Sequence, residues 1–439
     1  MVALLPHLLL HLISWKYCLT GIVNNRMIYN DKMYFLFPLN ARKKDSLLLL
    51  QVEQVKTGRW PARRLYSRNL VAHVKHMSLL KILALPIFDR ATTVSHGEAD
   101  SARASAPNGS DAQRLAWLDA AKGVGIILVV YGHQLRAQMA AGKVEASWSA
   151  PLQDAVIYAF HMPLFFFISG LTIERTFRKS TSAQFVHSRL VTLIYPYILW
   201  SLISLGLAMA GQRYVNHQVG MSDVIAITWK PVFQYWFLYA LFICQMVAFC
   251  VGMRHFIIAL IAIAALLSPF DMRYPILVEA TGSFPFFAAG ILLSSHFLKS
   301  INGYSPRSLA VCGVVSATAF LVLFSWRGAA YFNVPLFKFI LAVCGIATVV
   351  AFSAAFGARS RLLAVLGATS MAIFILHTIV ATAIRSALNV LPWLDTSVIQ
   401  LVCCVAGAVI IPVGIQRAVS MIGLERQLGL SGPNNRRRA

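Results

Sequence analysis

The sequence predicts an all-α fold, a polytopic bundle of about ten transmembrane spans, and three observations carry that prediction. The chain has 439 residues, of which 58% are hydrophobic and only 13% charged, and its mean hydropathy is +0.66. A water-soluble globule does not have that composition. Apolar runs of roughly 18 residues or more, enough for about 30 Å of hydrocarbon, recur from residue 120 to residue 422. The cations behind the formal charge of +23 sit in the N-terminal region and in alternate connections between the runs. That is the bias that orients membrane helices, and no nucleic-acid partner is inferred from it.

Residues 1–113 read as a basic, poorly structured extension and linker. Residues 1–23 are apolar but broken by Pro6, His7, His11 and Lys16, and they lack the basic start and small-residue cleavage site of a signal peptide. Residues 24–90 are basic and irregular, and 91–113 are rich in Ser, Ala, Gly and Asp, as linkers are. Two readings stay open: a cytoplasmic extension, or sequence upstream of the true start with Met77 as initiator. The second predicts that residues before about 77 are missing from the native protein in an intact-mass measurement.

The membrane domain is assigned to 114–422, with spans expected near 118–139, 156–173, 191–211, 235–252, 256–269, 284–297, 309–326, 335–356, 363–384 and 398–421. The fifth and sixth are short for a bilayer. Arg175, Arg178, Lys179 and Arg189 lie between the second and third spans; Arg254, then Lys299 and Arg307, then Arg359 and Arg361 occupy every second connection after that. Arg417 and Arg426 follow the last span, and residues 423–439 form a basic tail. These connections are expected to face the cytoplasm, so an even number of spans puts both termini there. Pro163 and Pro196 remove backbone donors inside spans and are expected to disturb them locally. Tyr235 and Trp236 read as interfacial aromatics, and Ser169-Gly170 as a close helix contact rather than a nucleophile. Six of the seven cysteines fall inside spans with no metal-ligand spacing, so no disulfide and no metal site is proposed.

The first span holds the most informative residues. Lys122 and His133 are eleven residues apart in an otherwise apolar run, which places them on nearly the same helix face about 16 Å apart along the axis. Ionisable side chains at such depth mark function. Asp119, one turn from Lys122, is its expected partner. With the orientation above, His133 lies in the outer half of span one, His161 near the outer start of span two, and His377 at a similar level in span nine. Three histidines at one depth predict a shared polar pocket, because polar groups in hydrocarbon turn toward the bundle interior.

Leu118-Asp119-Ala120-Ala121-Lys122-Gly123 through His133, Phe160-His161-Met162-Pro163-Leu164-Phe165-Phe166-Phe167-Ile168-Ser169-Gly170 and Arg189 through Tyr195-Pro196-Tyr197 resemble segments of the acyltransferase-3 family of integral membrane acyltransferases. Trp236-Phe237-Leu238-Tyr239 and Leu366-Gly367 through His377 match later family segments in the same order, so the resemblance covers about residues 114–422. The family commonly carries arginine where this chain has Lys122, and the lysine resembles the branch of fucose 4-O-acetylases and rhizobial nodulation-factor fucose O-acetyltransferases. Lysine binds phosphate as a point charge, whereas arginine grips it bidentately.

The resemblance implies transfer of an acetyl group from acetyl-CoA to a sugar hydroxyl of a lipo-oligosaccharide or polysaccharide acceptor, in a bacterial inner membrane. Such a reaction needs a base for the hydroxyl proton and a group to hold the developing oxyanion. His133 is the expected base, His161 an orienting or oxyanion partner, and His377 a third member of the catalytic set. Lys122, Arg175 and Arg189 are the expected contacts to the CoA phosphates, with Arg178 and Lys179 weaker candidates as solvated loop charges. The competing class is a proton-coupled transporter in which the three histidines relay protons. Such transporters show matching broken spans in two related halves, and this chain has no evident repeat.

Overall fold

A computed structural model describes residues 26–29, 32–38, 47–53, 109–143, 149–211, 220–267, 274–327, 334–390 and 397–430. The first three segments belong to one compact unit and the rest to another. Within the region read from sequence as irregular, β1 (Arg26–Tyr29), β2 (Lys32–Pro38) and β3 (Leu47–Glu53) pair as an antiparallel meander, with Arg26 opposite Phe35 and Lys32 opposite Glu53. Most of the expected linker, Met77 and the last nine residues lie outside the described segments.

The membrane unit is all helical. Its elements are α1 (Gly109–Ala140), α2 (Ser149–Arg178), α3 (Ser182–Arg189), α4 (Tyr195–Ala210), α5 (Met221–Ala226), α6 (Trp236–Cys250) and α7 (His255–Leu267). They continue with α8 (Pro275–Ser300), α9 (Pro306–Arg327), α10 (Pro335–Phe356), α11 (Arg361–Ala368), α12 (Ser370–Leu388) and α13 (Ser397–Met421). Among the described residues, eight helices are long and apolar enough to cross a membrane, α3 and α4 counting as one. They correspond to every expected span except the first and the fifth. The fifth, α7, is apolar but only 13 residues long. The first, α1, has length to spare at 32 residues, and its shortfall is polarity: Asp119, Lys122, His133 and Gln134 lower it. The sixth is longer than expected, because α8 begins at Pro275 and runs through Glu279, so the more polar stretch ahead of the apolar run is helical as well.

That polar α1 is the hub of the bundle, packing against α2, α10, α11, α12 and α13. Protein enclosure is what makes its polar side chains tolerable in a membrane. In lipid, helix association rests on close packing and polar bonds more than on expulsion of water, and glycines supply the closeness. A Cβ at Gly123 would lie 2.3 Å from the carbonyl oxygen of Leu363, and one at Gly367 only 1.7 Å from that of Asp119. Helices α1 and α11 therefore cross backbone to backbone. Helices α2 and α8 do the same at Gly170 and Gly290, and Gln245 of α6 donates to Ser169 there at 3.0 Å, in keeping with a helix contact. By contrast α9 turns Val311, Val314, Val315, Leu321 and Val322 outward, as a helix at the lipid boundary does.

Pro163 is accommodated within α2. Ahead of Pro196 the chain instead forms a π-helical turn, Leu190–Ile194, in which the Tyr195 amide donates to the Leu190 carbonyl. Pro196 has no N–H for the Thr192 carbonyl and its ring would crowd it, and the wider turn makes room. The segment after α13 folds back over this bend. Trp200 Nε1 donates to the Leu428 carbonyl at 2.8 Å, Gln416 Nε2 to that of Leu430 at 3.0 Å, and the Tyr195 hydroxyl to that of Gln427. Gly429 makes the return possible with φ of +64° while packing on Pro196.

Candidate functional site

Two polar zones lie at opposite ends of α1. At the Lys122 end, Lys122 Nζ meets Asp119 Oδ1 at 2.9 Å, the partner expected from their spacing. Trp117 packs edge-on to Phe297, which also meets Phe167, so this end of α1 lies beside the C-terminal halves of α2 and α8. There Glu174, a buried carboxylate, receives Arg178 at 2.7 Å and Ser294 Oγ at 2.9 Å, with His255 Nε2 at 3.6 Å. Arg175 is exposed on the last turn of α2. Arg189 lies over the Phe185 ring at 5.3 Å, and Phe185 stacks on Phe249 beside Phe177. Lys122, Arg175 and Arg189 thus lie toward one end of the bundle, each beside different neighbours.

At the other end the three histidines come together. The His133 and His377 rings are 5.2 Å apart between centroids. Tyr158 stands between His133, at 6.2 Å, and His161, at 4.6 Å, edge-on to both. One helix contributes each histidine: α1 His133, α2 His161 and α12 His377. Gly132 lets α2 approach, since a Cβ there would sit 3.1 Å from the Tyr158 ring and 3.3 Å from Ile157.

The backbone fixes how two of these imidazoles face. His161 Nδ1 is 2.8 Å from the Ile157 carbonyl; His377 Nδ1 is 2.8 Å from the Phe374 carbonyl and 3.1 Å from that of Ile373. A carbonyl can only accept, so each Nδ1 carries the proton and each neutral ring presents a lone pair at Nε2. His377 is fully buried and its Nε2 has no hydrogen-bond partner.

Sequence reasoning passed over the residues around this cluster. Arg136 grips Asp154 through two bonds, of 2.6 and 3.0 Å, and its guanidinium carbon sits 3.1 Å from the centre of the Tyr158 ring. The Tyr158 hydroxyl is buried with no acceptor for its proton. Gln234 donates to Thr378, next to His377, at 2.8 Å, and the Tyr235 hydroxyl donates to the Ile375 carbonyl at 3.1 Å. Tyr235 is therefore a buried strut between α4, α6 and α12, not the interfacial aromatic its composition suggested. A signal did exist: Arg136 follows His133 by three residues and Tyr158 precedes His161 by three, so each shares its histidine's helix face.

The arrangement gathers proton acceptors from three helices about 16 Å from a cationic end, which suits removal of a proton from a hydroxyl.

Residues 115–417 match the acyltransferase-3 family model, described as an acyltransferase domain. The chain is similar to Nodulation protein NolL of Mesorhizobium japonicum, 28% identical over 235 residues covering 52% of this chain and 61% of that protein. It is equally similar, at 28% over 218 residues, to Nodulation protein NolL of Sinorhizobium fredii, covering 48% of this chain and 58% of that one. The matches thus span about three fifths of the length of these curated relatives. No solved structure matches the chain significantly.

Proposed function

The chain belongs to the acyltransferase-3 family, and from that premise we propose that it is an O-acyltransferase moving an acetyl group from acetyl-CoA to a sugar hydroxyl of a lipo-oligosaccharide or surface glycan. The observation that carries the reading is the convergence of His133, His161 and His377 from three helices in a multi-pass membrane domain. A lone buried histidine is ordinary; three with two lone pairs held in place by backbone carbonyls suit proton removal.

In this reading His133 takes the proton from the acceptor hydroxyl as that oxygen attacks the thioester carbonyl. His377, 5.2 Å from it between ring centres, and His161 accept from neighbouring hydroxyls of the sugar through their Nε2 atoms and so orient the acceptor. Collapse of the tetrahedral intermediate expels the CoA thiolate, which takes the proton, and leaves an acetyl ester on the sugar. Lys122, Arg175 and Arg189 receive the CoA phosphates at the other end, with the pantetheine arm covering the roughly 16 Å between. The protein sits in a bacterial inner membrane with both termini cytoplasmic, where acetyl-CoA is available. Relatives named as nodulation proteins, together with lysine in the first span, support a nodulation factor, and its fucose, as acceptor.

Mass spectrometry of lipo-oligosaccharides and surface glycans from wild-type and deletion cells tests this. The wild type is expected to carry a component one acetyl group heavier than the deletion strain, with fragmentation placing the group on a sugar. Identical acylation in both strains would overturn the proposal, and a changed solute uptake would point to the transporter reading.

A further inference from the structure

Acyl transfer makes opposite demands on the two oxygens involved. The acceptor hydroxyl must lose a proton, whereas the carbonyl oxygen must gain hydrogen bonds as it becomes an oxyanion. The histidine cluster supplies the first far better than the second. His161 and His377 spend their N–H groups on the carbonyls of Ile157, Ile373 and Phe374, so the nitrogen each has left, Nε2, offers a lone pair, which repels an oxyanion. A donor must come from elsewhere in the cluster.

Tyr158 is that donor in kind and in place. Its ring lies between His133 and His161, 6.2 and 4.6 Å from their centres, and its buried O–H has no acceptor. A buried donor left without an acceptor is costly, and such a cost persists where a ligand makes the missing bond. Its surroundings hold the ring still. Arg136 lies flat over it at 3.1 Å, and Asp154 fixes that guanidinium with two bonds. A guanidinium has no lone pair to offer, so beside the phenol it leaves the O–H free to donate. A cation over a π face also draws electron density from the ring and strengthens its O–H as a donor.

We propose that Tyr158 is a catalytic residue whose hydroxyl donates to the thioester carbonyl oxygen as the tetrahedral intermediate forms, and that Arg136, clamped by Asp154, positions it. The inference rests on the acyltransferase reading. The acceptor oxygen bonds to the carbonyl carbon while its proton passes to His133. The carbonyl π pair moves to the oxygen that Tyr158 holds, then returns as the C–S bond breaks and the thiolate leaves with the proton. Tyr158 keeps its own proton throughout, so no further reactant is needed.

The test uses the full chain in native membranes, with labelled acetyl-CoA as donor and the lipo-oligosaccharide fraction of deletion cells as acceptor. Tyr158→Phe retains the ring and its contact with Arg136. It is expected to lower kcat about a hundredfold, the effect of removing one oxyanion donor, with the KM for acetyl-CoA within about twofold of wild type. A ring that only supports packing would not give that split. Replacement by 4-aminophenylalanine returns an N–H donor at the same place and is expected to keep at least a tenth of the wild-type rate. If wild-type membranes transfer label and folded Tyr158→Phe stays within threefold of them, the role of Tyr158 is refuted while the acyltransferase reading stands. If folded 4-aminophenylalanine protein falls below a hundredth of wild type, the donor role is refuted in the same way. If wild-type membranes transfer no label, both fall together.

Discussion

Adding one methyl group at Gly170 should loosen the packing of α2, the helix that carries His161 and Tyr158, against α8. A Cβ built there lies 2.1 Å from the Phe287 carbonyl oxygen, 3.0 Å from Gly290 Cα and 3.1 Å from the Ile291 amide nitrogen. All three are backbone atoms, so no side chain can rotate away, and the axes of α2 and α8 must separate by about 1 Å to restore contact distance. A gap of that size forfeits roughly a quarter to a half of the dispersion well of each pair across it, and this is the most extensive helix contact of the bundle. We expect Gly170→Ala to cost about 3 kcal/mol of unfolding free energy, the upper end of overpacking effects. Gly290→Ala should cost about the same, since its Cβ would lie 2.2 Å from the Phe167 carbonyl oxygen. One separation relieves both clashes, so the double variant should lose no more than about 1 kcal/mol beyond either single one, a strong coupling for adjacent sites. Equilibrium unfolding in mixed micelles measures all three. Single losses under about 0.5 kcal/mol, or full additivity, would show that the helices do not meet backbone to backbone.

The other predictions concern the donor end and the C-terminal return. Lys122→Ala should raise the KM for acetyl-CoA about tenfold or more, from loss of a charge-assisted contact, at normal abundance. An unchanged KM would remove Lys122 from the donor site. Gly429→Ala forces a side chain into left-handed backbone, at about 1–2 kcal/mol, and brings its Cβ to 2.7 Å from Pro196 Cγ. Limited proteolysis should then cut near residue 429 faster than in wild type, and an unchanged rate would show that the return does not depend on that glycine.

Much of this was legible from residue type and spacing. Composition and apolar runs suffice for a polytopic helical fold, and the depth of His133, His161 and His377 along their spans predicts that they meet. The Asp119–Lys122 pair follows from helical geometry. What escaped depends on the third dimension. Tyr158, Arg136 and Asp154 are ordinary residues near a span end, and their meaning appears only when α1 and α2 are set side by side. The enclosure of α1 by five neighbours is equally invisible to hydropathy, which reads its polar residues only as a weaker span. Tyr235 precedes an apolar helix, as an interfacial residue does, yet the 3₁₀ turn Phe233–Tyr235 aims it at α12. Pro196 announces a disturbed helix, but not that a π-helical turn and the C-terminal return would share it.

The measurement that bears most directly on the central claim is transfer of label from acetyl-CoA to lipo-oligosaccharide by membranes holding equal amounts of wild-type and His133→Ala protein. Our account predicts an acetyl ester on a sugar with the wild type and a loss of at least about a hundredfold with the variant, the reach of one general base. Undiminished transfer by His133→Ala, with the protein shown to be folded, would contradict it.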